Sequence, residues 1–246
     1  MKHRFKIKTV DETASTNLLM KELEKAGKLV NGDVIRAINQ SGGIGQRGNY
    51  WESEAGKNLT FSLFLETHFL AAADVFQLNK ISSIAIHDYL TSKNVSDVKI
   101  KWPNDVYVGD KKIAGMLTHN SFLGDKLENS IIGIGLNINQ IEFSGNAPNP
   151  ISLKGITQID CILEDELDTL LQFIYLRVIQ LAKGELSQIN SDYLERLYGF
   201  GQTRQFKDSK GIFNGIIRGV DSFGQLLVEK DKGILITYDL KVIEFL

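Results

Sequence analysis

A cation, an amide and a carboxylate fall within five residues at Lys101-Trp102-Pro103-Asn104-Asp105, where a proline closes the strand that carries them. Strand alternation over Val98–Trp102 puts Lys99 and Lys101 on one face and Val98, Ile100 and Trp102 on the other. A lysine on an edge strand is ordinarily solvated. Gathered with Asn104 and Asp105 where a strand must stop, it also suits a site that neutralises an anion. A second segment is crowded with Gly42, Gly43, Gly45 and Gly48, and Gly43-Ile44-Gly45-Gln46-Arg47-Gly48 has the spacing of a dinucleotide-binding loop. Such a loop must open a helix, whereas Asn49-Tyr50-Trp51-Glu52 and then a strand follow here, so that assignment fails. Two readings stay open. One is a plain surface loop; the other is a loop whose bare N–H groups approach an anion, with Arg47 adding charge and Trp51 a stacking face.

Gly133 and Gly135, two apart in the run from Ile131 to Asn139, share one face of a strand. They admit either a neighbouring side chain or a flat ligand whose edge Asn137 would read. Ser15-Thr16-Asn17 is first a helix N-cap cluster, and equally a place to hold a polar head group. Cys161 has no histidine partner nearby and reads as structural, and the four histidines form no ligand spacing.

These residues need elements to hold them. Lys6 to Val10 reads as a strand, Ser15 to Lys25 as a helix stopped by Gly27, and Asp33 to Asn39 as a strand leading into the glycine loop Gln40 to Ser53. A strand over Leu59–Leu65 and a core helix over Asp74–Leu90 follow. Val106–Val108 and Ile113–His119 form a hairpin through Gly109-Asp110-Lys111-Lys112, and a second hairpin turns at Gly124-Asp125 into Ile131–Asn139. Glu142 to Gln158 reads as a loop, Leu167 to Gly184 as a long helix, and Gln188 to Tyr198 as a shorter one. From Gly199 short β-type runs alternate with turns: Ile212–Arg218, Gln225–Glu229, Ile234–Tyr238 and Lys241–Phe245. The expected architecture is an α+β body with a mixed sheet over residues 1–198 and a small β-barrel over 199–246.

Composition removes other classes. Lys+Arg of 28 against Asp+Glu of 30 gives a net charge of −2, without the basic excess of a nucleic-acid binder. One cysteine excludes an internal disulfide framework. No apolar run follows the basic start and none approaches a membrane span, so a soluble, cytoplasmic chain is expected.

Four segments occur in a set order: Ser15-Thr16-Asn17, the glycine loop ending in Trp51, Lys101-Trp102-Pro103-Asn104-Asp105 with Lys112-Ile113-Ala114-Gly115, and Gly133-Ile134-Gly135-Leu136-Asn137. Together they resemble the biotin–protein ligase family over essentially the whole chain. The resemblance implies a class II synthetase-like ligase body, shared with lipoate ligases, and an SH3-like tail. It implies a reaction in which biotin and ATP, with Mg²⁺, give biotinyl-5′-AMP, and a lysine of a biotin carboxyl carrier domain then takes the biotin. Lys101 would be the catalytic cation, contacting biotin and the α-phosphate. Ser15, Thr16, Asn17 and Gln40 would hold the ureido ring and carboxylate, with Gly43 and Gly45 beside them. Gly115, Gly133 and Gly135 would leave room for biotin. Trp51 and Asn137 would take the adenine, and Arg47, Asn104, Asp105 and Lys112 would serve the adenylate, its phosphates or a metal, for which no certain ligand set is apparent.

Ile44 and Gln46 stand where the family commonly has arginines, which implies a weaker phosphate clamp and more leakage of the adenylate. The chain enters the ligase pattern within its first twenty residues, so direct DNA binding through a helix-turn-helix domain is not expected. A homodimer and a monomer read alike. Two alternatives remain: a lipoate–protein ligase of the same fold, and a non-catalytic biotin- or nucleotide-binding module.

Overall fold

The computed structural model describes residues 4–46, 50–124, 126–145, 149–230, 233–240 and 242–246. A seven-stranded mixed sheet forms the body, from β1 (Lys6–Thr13), β2 (Asp33–Gln40), β3 (Leu59–Glu66), β4 (Val98–Lys101), β5 (Asp105–Val108), β6 (Lys111–Leu123) and β7 (Lys126–Leu136). Its order is β1-β2-β3-β7-β6-β5-β4. β1 and β2 run parallel, joined through α1 (Thr16–Lys25), and the other neighbours are antiparallel.

Period-two alternation sends Phe61, Leu63, Ile132 and Ile134 to one side of the sheet. There they form a core with α2 (Gln77–Ser92), which contributes Ile81, Ile84 and Ala85, and α4 (Leu163–Ala182), which contributes Leu167, Leu170 and Ile174. Acidic Glu164, Asp165 and Glu166 in the first turn of α4 complement its helix dipole. On the opposite side α1 buries Met20 against Ile35, Phe64 and Ile131. Its N-terminus therefore overhangs the remainder of that face, where the site lies.

After α5 (Leu186–Arg196), five antiparallel strands make an SH3-like tail in the order β11-β10-β9-β8-β12. These are β8 (Thr203–Asp208), β9 (Gly211–Val220), β10 (Leu226–Lys230), β11 (Ile234–Tyr238) and β12 (Glu244–Phe245). Phe206, Ile217, Leu226 and Val228 of this tail are continuous with the body's core. The junction is hydrogen-bonded as well as packed: Trp102 Nε1 donates to the Gly224 carbonyl at 2.8 Å, and Tyr198 N to the Ile100 carbonyl at 2.8 Å.

Several elements differ from expectation. The helix expected from Asp74 begins at Gln77, after a 3₁₀ turn over Ala72–Asp74. The stretch expected to be loop holds α3 (Leu153–Thr157), capped by the Ser152 side chain accepting from Gly155 N at 3.0 Å. β8 was not among the expected strands because Thr-Arg-Gln-Phe-Lys-Asp buries only Phe206. The last strand is confined to Glu244–Phe245, and Lys241 lies outside the described residues. Among the described residues no helix is long and apolar enough to cross a membrane.

Candidate functional site

The register of the large sheet lays one row of residues across five strands. Thr60 on β3 pairs with Gly135 on β7, Gly135 with Gly115 on β6, Gly115 with Asp105 on β5, and Asp105 with Lys101 on β4. Directly opposed residues share a face, so this row is a floor with a low centre and polar ends. Above it opens a cleft.

The N-terminus of α1 closes one end. Ser15 is the N-cap by backbone geometry, yet its side chain caps no helix N–H. Gln40 does that work instead: its Oε1 accepts from Thr16 N at 3.0 Å and lies 3.3 Å from the Thr16 hydroxyl. The Ser62 hydroxyl donates to Asn17 Oδ1 at 2.5 Å and lies 2.8 Å from Thr16 Oγ1, while Asn17 Nδ2 donates to the Leu117 carbonyl at 3.0 Å. Ser15, Thr16, Asn17 and Gln40 are all buried and all line the cleft. Buried polar groups fixed in this way favour a ligand end rich in donors and acceptors.

The floor's glycines have tenants. A Cβ on Gly133 would come within 2.3 Å of Asn17 Oδ1, and one on Gly135 within 2.3 Å of the Trp51 indole. Gly115 faces the same indole, at 3.0 Å. The space beside these glycines is occupied by the Asn17 and Trp51 side chains. The indole is set by the loop's own ends: Trp51 N donates to the Gly43 carbonyl at 2.9 Å, and Ile44 bridges Tyr50. Trp51 Nε1 is buried with no partner among the described residues.

Charge enters at the other end through Lys112. Its ammonium is 2.7 Å from Asp105 Oδ1 and 5.5 Å from the centre of the Trp51 ring. Its backbone is clamped, because Lys112 N donates to the Asn149 carbonyl and its carbonyl accepts from Ile151 N, each at 2.9 Å. Burial pushes the Asp105 carboxyl above its usual range, against the opposing pull of Lys112. Asn104 donates through Nδ2 to the Met116 carbonyl at 2.5 Å, which fixes its side chain at the cleft wall, and its backbone carbonyl accepts from Met116 N at 2.9 Å.

Lys101 is not brought to the cleft. It ends the row on the edge strand, two strands out from Gly115, or about 10 Å at ordinary strand spacing. Its ammonium lies 4.6 Å from the Tyr107 ring, 5.8 Å from Tyr198 and 5.6 Å from Phe245, at the junction with the tail. Burial lowers its pKa; Asp105 opposes that shift and Lys112 reinforces it. Asn137 is not among the residues lining the cleft: its Nδ2 donates to the Ile151 carbonyl at 3.0 Å, holding the segment before α3, and its Oδ1 is buried with no partner among the described residues. Gly43 serves loop closure and Gly45 lines the cleft, while Arg47 lies outside the described residues. Thr60, Ser62 and Tyr50 belong to the site's surroundings but were not among the expected residues. Alternating Thr60 and Ser62 in the otherwise apolar Leu59–Leu65 is the signal that marks the first two. Among the described residues no group of three or more His, Cys, Asp or Glu is placed to hold a metal.

Comparison with known proteins agrees with this geometry. The bifunctional ligase/repressor BirA of Bacillus subtilis is 28% identical over 220 residues, which cover 86% of this chain and 66% of that protein. The chain therefore spans about two thirds of that relative. The biotin–[acetyl-CoA-carboxylase] ligase of Paracoccus denitrificans is 30% identical over 229 residues, covering 90% of this chain and 93% of that one. The structure of the biotin protein ligase of Aquifex aeolicus with biotin and ATP superposes with a TM-score of 0.80 at 23% identity, covering 98% of each chain. Residues 9–137, more than half of the chain, match the biotin/lipoate A/B protein ligase family, and the chain belongs to that family.

Proposed function

We propose that the protein is an ATP-dependent biotin–protein ligase which forms biotinyl-5′-AMP and passes biotin to a lysine of a biotin carboxyl carrier protein. The observation that carries this is the polarity of the cleft: a neutral hydrogen-bonding end at Ser15, Thr16, Asn17 and Gln40, and a cation at the other, Lys112. Biotin's ureido ring carries two N–H donors and a carbonyl acceptor, which fit the first end. The dithiolane of lipoate has none of these and would leave buried polar groups unpaired, which separates substrates strongly.

The chemistry asked of the chain is the meeting of two anions. A carboxylate oxygen of biotin attacks the α-phosphorus of ATP, the bond to the bridging oxygen breaks, and pyrophosphate leaves. Lys112 is the group we assign to neutralising the carboxylate and α-phosphate, in place of Lys101, whose ammonium lies among the rings of Tyr107, Tyr198 and Phe245. Asp105 holds the Lys112 ammonium in place. Trp51 offers the adenine a ring face. Mg²⁺ would arrive on the ATP phosphates, as it usually does; Asp105 is the carboxylate lining the cleft and is engaged with Lys112, so the described residues fit a phosphate-borne ion rather than a resident one.

The test is ATP–pyrophosphate exchange driven by biotin or by lipoate, followed by label transfer to a recombinant carrier domain. Exchange with biotin and transfer to the carrier are expected. A lipoate response without a biotin response would replace biotin as the substrate, and binding without exchange would mark a non-catalytic module.

A further inference from the structure

A second cavity, open to solvent, adjoins the reaction cleft and shares a wall with it at Gln46, Asn104, Met116 and Leu117. It exists because β5 begins at Asp105, opposite Gly115, so β6 from Met116 outward has no strand on that side. Its far boundary is built from Val75, Phe76 and Asn79 at the start of α2, Thr118 and Asn120 of β6, and Phe223 of the turn between β9 and β10. Phe223 is 70% exposed and forms an apolar lip.

The two cavities differ in charge. None of the described residues lining the second is ionisable; its polar side chains are the amides of Gln46, Asn79, Asn104 and Asn120 and the Thr118 hydroxyl, which donates to Asn79 Oδ1 at 2.8 Å. The cations lie on the opposite flank, at Lys112 and then Lys101 and Arg204. Asn104 stands between them. With Nδ2 committed to the Met116 carbonyl, its Oδ1 has no partner among the described residues and is left as the acceptor at the shared wall.

We propose that this second cavity admits the acceptor lysine of the carrier protein, an inference that rests on the ligase function proposed above. The amine first loses a proton to solvent. Its nitrogen then attacks the acyl carbon of the adenylate, the bond from that carbon to the phosphate oxygen breaks, AMP leaves, and the second proton follows. A lysine approaching past Lys101 and Arg204 meets like charge, whereas the amide-lined flank offers acceptors to its ammonium and then to the N–H of the attacking amine. The leaving phosphate stays with the cations. Nucleophile and leaving group are thereby drawn to opposite sides of the carbonyl, with Asn104 Oδ1 positioned to orient the amine.

Thr118→Trp fills this cavity without touching the reaction cleft. Biotin-driven ATP–pyrophosphate exchange and consumption of the adenylate by hydroxylamine are expected to stay within about twofold, while kcat/KM for transfer to a recombinant carrier domain falls at least tenfold. Transfer at the native rate with exchange retained overturns the proposal. Should Thr118→Trp not fold, exposed Phe223→Asp decides: a rise of fivefold or more in KM for the carrier supports the proposal, and an unchanged KM overturns it. A native chain with no biotin-driven exchange overturns instead the ligase function on which the proposal stands.

Discussion

The cleft and the junction with the tail lie a few strands apart on one sheet and use the same residue types differently. In the cleft Lys112 faces open space, held by Asp105, and Trp51 keeps its indole N–H unpaired. At the junction Lys101 is wrapped by Tyr107, Tyr198 and Phe245, and Trp102 spends its N–H on the Gly224 carbonyl. Lys112 and Trp51 line the cleft and can be reached by a ligand, while Lys101 and Trp102 sit among the groups that join the two sheets. Substitutions in the cleft should therefore remove activity and spare stability, and those at the junction should do the reverse.

The largest test pits the two lysines against each other. Lys112→Ala is expected to lower biotin-driven pyrophosphate exchange by about 10²- to 10³-fold, the usual cost of removing one preorganised group that stabilises transition-state charge. Its melting temperature should hardly move. Lys101→Ala should cost less than about tenfold in exchange and about 1 kcal/mol in stability, through lost cation–π contacts at a half-buried position. An exchange defect in Lys101→Ala as deep as that in Lys112→Ala would erase the distinction.

Next is a titration at the junction. Lys80 is buried on α2, donates to Asn190 Oδ1 at 2.9 Å and lies 5.6 Å from the rings of Phe76 and Tyr193. Burial brings its pKa down to about 8, with Asp221 of the tail and Asp74 opposing the shift. Below pH 8 both native and unfolded chains keep the proton, and the cost of burying the charge is present in full. Between pH 8 and about 10.5 the unfolded chain binds the proton that the native chain has lost, so stability rises with pH. Against Lys80→Met as reference, native stability should gain up to about 3 kcal/mol across that window. Parallel denaturation profiles for the two proteins would show that Lys80 is not desolvated.

Trp102→Phe should have a smaller effect. It keeps most of the buried ring but leaves the Gly224 carbonyl without its indole donor, costing about 1–2 kcal/mol. Chemical denaturation at constant m-value measures it, with the maximal exchange rate expected within about twofold of native. A tenfold fall in exchange at unchanged stability would move Trp102 from the junction to the cleft side of the comparison.

Much of this arrangement is legible in the sequence, for identifiable reasons. Local periodicity marks the strands around the site, and the glycines at 115, 133 and 135 announce that something must come close to the sheet. They do not say what, and here it is Trp51 and Asn17, which reach them from a distant loop and from the first turn of α1. Alternation puts Lys101 on a definite face, but how far that face extends depends on the pairing of β4, β5 and β6, a long-range register that no local pattern encodes. Lys112 sits at the start of a strand beside Lys111, and only the cross-strand bonds to 149–151 show which lysine is held over the cleft. Asn137 ends a strand next to a glycine pair, which suits edge recognition equally well as the backbone clamp it makes.

The smallest predicted effect separates charge from shape within the cleft itself. Gln46 lines both cavities and Ile44 lines the reaction cleft at 40% exposure, so neither supplies a cation to the adenylate phosphate. Gln46→Arg adds one at the shared wall. In a site this open an ion pair contributes roughly 0.2–1 kcal/mol, so free biotinyl-AMP detected by chromatography during turnover should fall about two- to fivefold, with the exchange rate little changed. A larger fall would mean that the wall is drier than its lining suggests and that charge governs retention. No fall at all would assign retention to the Trp51 indole over Gly115 and Gly135, whose packing shields the mixed anhydride without any charge. Gly135→Ala, which forces that indole outward, would then raise leakage where Gln46→Arg had failed to lower it.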